Sequence, residues 1–129
     1  MPRTARVWHS GAVDDLDALV GTWLALPDVA ERLGVEVGKV RRLIQDRNLV
    51  ALRVGERGVL GVPEALLTDG AVLPELRGTL TVLADGGFSD AEAVRWLFTP
   101  DESLPGTPVE ALRGGRKTEI RRRAQALAL

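Results

Sequence analysis

Six cations between residues 37 and 58 have the types and spacing for work on a polyanion: Lys39, Arg41, Arg42, Arg47, Arg53 and Arg57, against only Asp46 and Glu56. Lys39 and Arg42 stand three apart and therefore share a helix face. The major groove of duplex DNA accepts one α-helix, and specificity needs side chains that reach base edges from its outer face. Arg42 is the candidate for paired hydrogen bonds to guanine and Gln45 for adenine, while Val37 and Gly38 fall at the helix start, where Val37 can meet a thymine methyl. Arg41 and Arg47 are placed to hold phosphates, which position a protein without reading sequence. Arg53 and Arg57 would reach flanking backbone or a neighbouring minor groove. A basic amphipathic helix alone is often only a solvated face; the Gly-flanked hairpin that follows tips the reading toward duplex DNA.

The rest of the sequence removes other chemistry. It has no Cys, hence no disulfide, thiolate metal site or thiol nucleophile, and its single His is His9. There is no Gly-rich phosphate loop, Ser nucleophile elbow or metal motif, so the expectation is a protein without catalysis, cofactor or metal. Asp14, Asp15 and Asp17 lack further ligands at calcium-loop spacing and read as a helix N-terminus. Trp8, Trp23 and Trp96 are scattered among apolar neighbours, which suits core packing better than base stacking. No apolar run approaches the ~20 residues of a membrane span. The expected location is the cytoplasm, in association with the nucleoid.

The net charge of −1 hides a strong segmentation. Residues 1–36 carry −3, residues 37–58 carry +4, residues 59–112 carry −7 and residues 113–129 carry +5. Positive potential is thus concentrated on the candidate reading segment and on the last helix, where Arg121, Arg122 and Arg123 are either a second phosphate contact or a solvated face.

These residues need elements to hold them. Residues 1–12 are polar and read as a flexible tail. The stretch from Asp14 to Leu24 suggests a short helix or turn. Pro27 sits at the first position of a helix whose face is Val29, Ala30 and Leu33, and Gly34 closes it. A second helix is expected over about 36–46, with Val37, Val40, Leu43 and Ile44 inward. Glu36 at its start is a weaker cap than Ser or Thr, and its charge repels a nearby phosphate. Leu49 to Val54, the turn at 55–58 and Val59 to Val62 read as a β-hairpin. Pro63 stops the strand and opens a small helix through Leu67, and Asp69-Gly70 marks a boundary. The second half reads as helices: one with Leu76, Leu80, Leu83 and Ala84, two opened by capping boxes at Ser89/Glu92 and Thr107/Glu110, and a last over about 117–127 with Ile120, Ala124 and Leu127 on one face.

Residues 24–66 resemble excisionase-like and MerR-like winged helix-turn-helix domains. The carrying residues are Val29-Ala30-Glu31, Leu33-Gly34-Val35, Arg42-Leu43-Ile44, Arg53-Val54-Gly55 and Pro63. The chain departs from the pattern at Glu36, where Ser or Thr is usual, and at Arg47, where Gly is common. Through Leu80 to Leu112 and Glu119 to Ala128, the whole is identified as a member of a small actinobacterial family of winged-helix DNA-binding proteins with a helical C-terminal extension. That resemblance implies DNA binding through the winged part, and it implies a serine/threonine kinase as a partner, with Thr4 beside Arg3 and Arg6 as the acceptor. A phosphate there would cancel tail charge. Trp96-Leu97, Leu104, Gly106-Thr107-Pro108 and Leu112 are also similar to the C-terminal domain of Xre/ParS-type antitoxins, which implies an alternative role in binding a toxin or other partner.

The expected architecture is mostly α. A tail at 1–12 leads to a winged helix-turn-helix with a two-stranded wing at 13–70, followed by a small helical C-terminal domain at 71–129. The expected function is duplex DNA binding in transcription regulation, with no membrane partner. A lone recognition helix reads few base pairs, which favours a homodimer on paired half-sites.

Overall fold

The computed structural model of the chain describes residues 14–104 and 106–128; the expected flexible tail, with Thr4, Trp8 and His9, lies outside the described residues. Helix α1 (Asp14–Val20) turns at Gly21 into strand β1 (Trp23–Ala25), which runs directly into α2 (Leu26–Leu33). Then come α3 (Val37–Gln45), β2 (Leu52–Val54), β3 (Val59–Pro63), a single 3-10 turn (Glu64–Leu66), and a second hairpin of β4 (Leu67–Thr68) and β5 (Ala71–Val72). The C-terminal half holds α4 (Leu76–Asp85), α5 (Asp90–Phe98), α6 (Pro108–Arg113) and α7 (Lys117–Ala128). This is the expected mostly α fold with a winged helix-turn-helix and a helical C-terminal region.

The sheet goes beyond the sequence reading in several places. The expected two-stranded wing, β2 and β3, is present and is extended by β1 into an antiparallel three-stranded sheet in the order β1-β3-β2. Ala25 and Leu52 both pair with Gly61, from opposite edges of β3. Trp23–Ala25 is a strand where a helix or turn was expected, because three residues are too few to show the period-two signature. Leu49, Val50 and Ala51 are buried without joining the ladder, so the apolar run there records burial and only its last part records a strand.

Packing explains the first half. Val29 of α2 and Val40 of α3 are wholly buried, each a side chain whose burial stabilises by about 1.5–3 kcal/mol. Trp23 is buried, and a Cβ at Gly61 would lie 3.1 Å from Val54 Cγ2 and 3.3 Å from Trp23 Cε3. The glycine is what lets the tryptophan lie across the sheet.

The two halves share one core: a continuous cluster of buried apolar residues runs from Leu16 to Ala124. Helix α1 packs on α5. Arg113, at the end of α6, donates from Nη1 to the carbonyls of Ala65 at 2.8 Å and Leu67 at 2.9 Å. Both expected capping boxes form, Ser89 with Glu92 and Thr107 with Glu110.

The basic last helix is tied inward more than expected. Arg121 pairs with Glu75 at 2.7 Å, and its guanidinium lies where a side chain on Gly78 would be. That accounts for a glycine inside α4, where alanine would be favoured by about 1 kcal/mol. Arg123, half-buried, bonds Glu119 at 2.7 Å and the Ser103 hydroxyl at 2.7 Å. Arg123, then Arg116, holds the Glu119 carboxyl below its ordinary pKa. The Ser103 hydroxyl and backbone N–H do the same for Asp101, with Arg123 adding to the effect. Ile120 and Ala124 are buried as expected, but Leu127 is 51% exposed; in the final turn, helical spacing alone does not guarantee a partner.

The Arg113 contacts fasten the C-terminal half to the turn after the wing. Replacing Arg113 by Met keeps the aliphatic stem and removes both hydrogen bonds, one of them part-buried. We expect the unfolding free energy in urea to fall by about 1–2 kcal/mol; an unchanged midpoint would mean that the clamp contributes nothing.

Candidate nucleic-acid interface

Helix α3 forms one residue inside each expected bound, with Glu36 and Asp46 as its flanks. Its inner face is Val40, fully buried, with Val37, Leu43 and Ile44 half-buried. At about 100° per residue, the opposite direction belongs to Gly38, Arg42 and Gln45, and all three are exposed. Arg41 and Lys39 are exposed on opposite flanks of that face. Among the described residues nothing lies within 4 Å of the position a Cβ would take on Gly38, so none of them covers the start of this face.

Glu36 caps α3 in an extended conformation (φ −83°, ψ 156°) without any side-chain hydrogen bond to the helix. Its carboxylate suits the positive end of the helix but stands at the entrance to the basic face. The expected weakness of this cap is present.

The other end of α3 is unusual. The Asn48 N–H donates to the Leu43 carbonyl at 2.8 Å and the Arg47 N–H to the Ile44 carbonyl at 3.2 Å. This two-bond ending requires a left-handed residue, and Arg47 takes that conformation with φ 61°. Helices α2, α4 and α6 end with the same pair of bonds, but there the left-handed residue is Gly34, Gly87 or Gly115. Arg47 is the departure from glycine noted in the sequence. Its Nη1 lies 4.0 Å from Asp90 Oδ1 at the start of α5, with both side chains more than half exposed, a pair worth about 0–1 kcal/mol.

The wing turns over Gly55, Glu56, Arg57 and Gly58, with Gly55 and Gly58 left-handed (φ 78° and 64°). Arg57 is exposed at its tip. Arg53 is exposed as well, but its Nη1 donates to the Gly58 carbonyl at 2.9 Å, bracing the turn. Between the wing and α3 lies a recess of about 300 Å³, lined by Ala25, Leu26, Pro27, Val37, Arg41, Arg53, Val59 and Leu60. Val59 is 43% exposed there. The structure therefore brings Val37, Arg41 and Arg53 together, and it leaves Arg47 at the far end of α3. Ala25, Leu26, Pro27, Val59 and Leu60 are lining residues that the sequence reading did not assign to the site. For Val59 and Leu60 the available signal was two large apolar residues directly after a wing turn.

Of the second basic segment, Arg121 and Arg123 are paired within the fold, and Arg122 is exposed. Trp23 is buried and Trp96 half-buried, as core packing requires. Among the described residues no group of three or more His, Asp or Glu side chains is arranged to hold a metal ion. No described helix is long and apolar enough to cross a membrane.

Comparison with known proteins gives a consistent picture. Residues 12–67 match a family described as "DNA-binding protein Rv2175c, wHTH domain", and residues 73–128 one described as "Rv2175c C-terminal domain of unknown function". The chain is 44% identical over 138 residues to the DNA-binding protein Rv2175c of Mycobacterium tuberculosis, spanning 96% of this chain and 92% of that one. It is also similar to the NMR structure of Rv2175c, with a TM-score of 0.76 at 41% identity over 84% of this chain and 82% of that one.

The left-handed arginine gives a direct test. Glycine at residue 47 would relieve about 1–2 kcal/mol of backbone strain and return about 0.5–1 kcal/mol as extra entropy of the unfolded chain. Arg47→Gly is therefore expected to raise the unfolding free energy by about 0.5–1 kcal/mol in urea; a loss of stability would show that the guanidinium supports the fold.

Proposed function

The chain belongs to the Rv2175c family of winged helix-turn-helix proteins, and on that footing we propose that it binds duplex DNA and regulates transcription. The observation that carries this reading is the bare outward face of α3, with Arg42, Gln45 and Gly38 exposed beside a braced wing. Helix α3 enters the major groove. Arg42 reads guanine and Gln45 reads adenine, while Val37, half-buried, lines the recess beside the wing rather than the reading face. Lys39, Arg41 and Arg47 hold phosphates around the groove, and Arg53 and Arg57 engage flanking backbone or minor groove. The protein acts in the cytoplasm, on the nucleoid.

A single helix of this length addresses few base pairs, so two copies act on paired half-sites. The C-terminal half keeps the reading unit in shape, as the Arg113 clamp and the packing of α1 on α5 support. Thr4 is the acceptor for a serine/threonine kinase; the added negative charge opposes attraction to DNA. Thr4→Glu is expected to bind duplex more weakly than the unmodified chain in the same buffer, and undiminished binding would remove the kinase step from this proposal.

The main test is selection of genomic fragments by the purified protein at about physiological salt, followed by measured binding of the enriched site. A recurring motif with inverted halves is the expected result, and retention of every fragment alike would exclude sequence reading. On that site Arg42→Ala should lose about 1–3 kcal/mol of discrimination between cognate and altered sequence. Arg57→Ala should weaken all sequences equally and lower the slope of log affinity against log salt by ~0.9. Equal loss on every sequence for Arg42→Ala would take base reading away from that residue.

A further inference from the structure

The recess between α3 and the wing supports a step that rests on the duplex-DNA reading and deepens it. We propose that this recess seats one sugar–phosphate unit of the bound strand, with Arg41 and Arg53 converging on the same phosphate.

Among the described residues the lining carries two arginines and no acid. Among the described residues Arg41 has neither an ion pair nor a side-chain hydrogen bond, and Arg53 makes one bond, to the neutral Gly58 carbonyl. Two arginines lining one recess repel each other when their heads turn into it, and an anion held by both reverses the sign of that interaction. The brace to Gly58 fixes the Arg53 head in advance while leaving its other N–H donors for a ligand. Phosphate oxygens match such forked donors in geometry as well as in charge.

The floor of the recess is apolar: Leu26, Pro27, Val37 and Leu60 supply it, and Val59 stands exposed at its edge. A strongly hydrated small anion gains nothing from such a floor. The C–H faces of a deoxyribose do gain from it, and in a DNA strand the sugar is bonded directly to the phosphate. A base edge would find no donor or acceptor among the aliphatic side chains. One ligand thus satisfies both halves of the recess, a sugar carrying a phosphodiester. Positions 41 and 53 lie on different elements and meet only because the wing folds back beside α3, so their convergence belongs to the fold.

The proposal makes a countable statement: the two arginines neutralise one phosphate, not two. Affinity for a generic duplex would be measured against salt for the unmodified chain, Arg41→Gln, Arg53→Gln and the double variant, with each neutralised phosphate contributing ~0.9 to the slope. The comparison is the effect of Arg41→Gln in each background, so any loosening of the wing by Arg53→Gln cancels. With Arg53 present, Arg41→Gln should leave the slope unchanged, because Arg53 still holds the phosphate. With Arg53 replaced, it should lower the slope by ~0.9. An equal drop in both backgrounds would overturn the proposal in favour of separate phosphates. No change in either would show that Arg41 touches none. Val59→Thr, which keeps shape and adds a hydroxyl, should weaken binding a few-fold at constant slope; unchanged affinity would remove the sugar from the recess. If the unmodified chain shows no salt-dependent binding to duplex, the DNA reading itself fails, an outcome distinct from all of these.

Discussion

Strand β3 is hydrogen-bonded along both edges, and Gly61 is where the two ladders meet. One edge holds β1, the lead into α2; the other holds β2, the first side of the wing. The angle between the helical pair and the wing is therefore set by a single strand rather than by a flexible connection. Any side chain at residue 61 would crowd Trp23 and Val54, at 3.3 Å and 3.1 Å from its Cβ, and require them to give way. Everything offered to a ligand, the outward face of α3, the braced turn and the recess between them, inherits its geometry from this junction.

Charge is partitioned with the same economy. Two acids of the middle meet bases of the end, Glu75 with Arg121 and Asp101 with Arg123, and Arg123 also holds Glu119 within α7. Arg32 of α2 likewise meets Glu64 after β3, at 2.8 Å. Among the described residues the cations of α3 and the wing are mostly left unanswered, with Arg47 holding a distant, exposed partner. A chain of net charge −1 can thus present a locally positive surface, and screened fields act over about 8–10 Å in physiological salt.

Much of this was legible in the residues because it depends on local rules. The spacing of Val37, Val40, Leu43 and Ile44 located α3 to within a residue at each end, and Ser89/Glu92 and Thr107/Glu110 located two helix starts. Gly34 announced the end of α2. What escaped depends on distant partners. Strand β1 exists only because β3 is there to pair with it. The β4–β5 hairpin was legible but passed over: Asp69 and Gly70 both have positive φ (51° and 76°), the turn that an Asp-Gly pair between apolar residues favours. At the candidate site the types and exposure of the basic residues were readable. The gathering of Arg41 and Arg53 was not, since helical spacing says nothing about where a wing folds. The inward ties of Arg121 and Arg123 were hidden for the same reason.

The packing of α1 on α5 also bears on the order in which the protein can be made. Leu16, buried in the finished protein, is synthesised well before α5, the helix on which α1 packs, which begins only at Asp90. At ~5–20 residues per second, several seconds of synthesis separate the two. During that interval β1, the helical pair and the wing can all be complete while α1 still lacks the surface on which it closes. The first half alone would carry α3 and the wing together with the uncovered apolar face of α1, so the finished shape of the N-terminal half depends on the half that follows it.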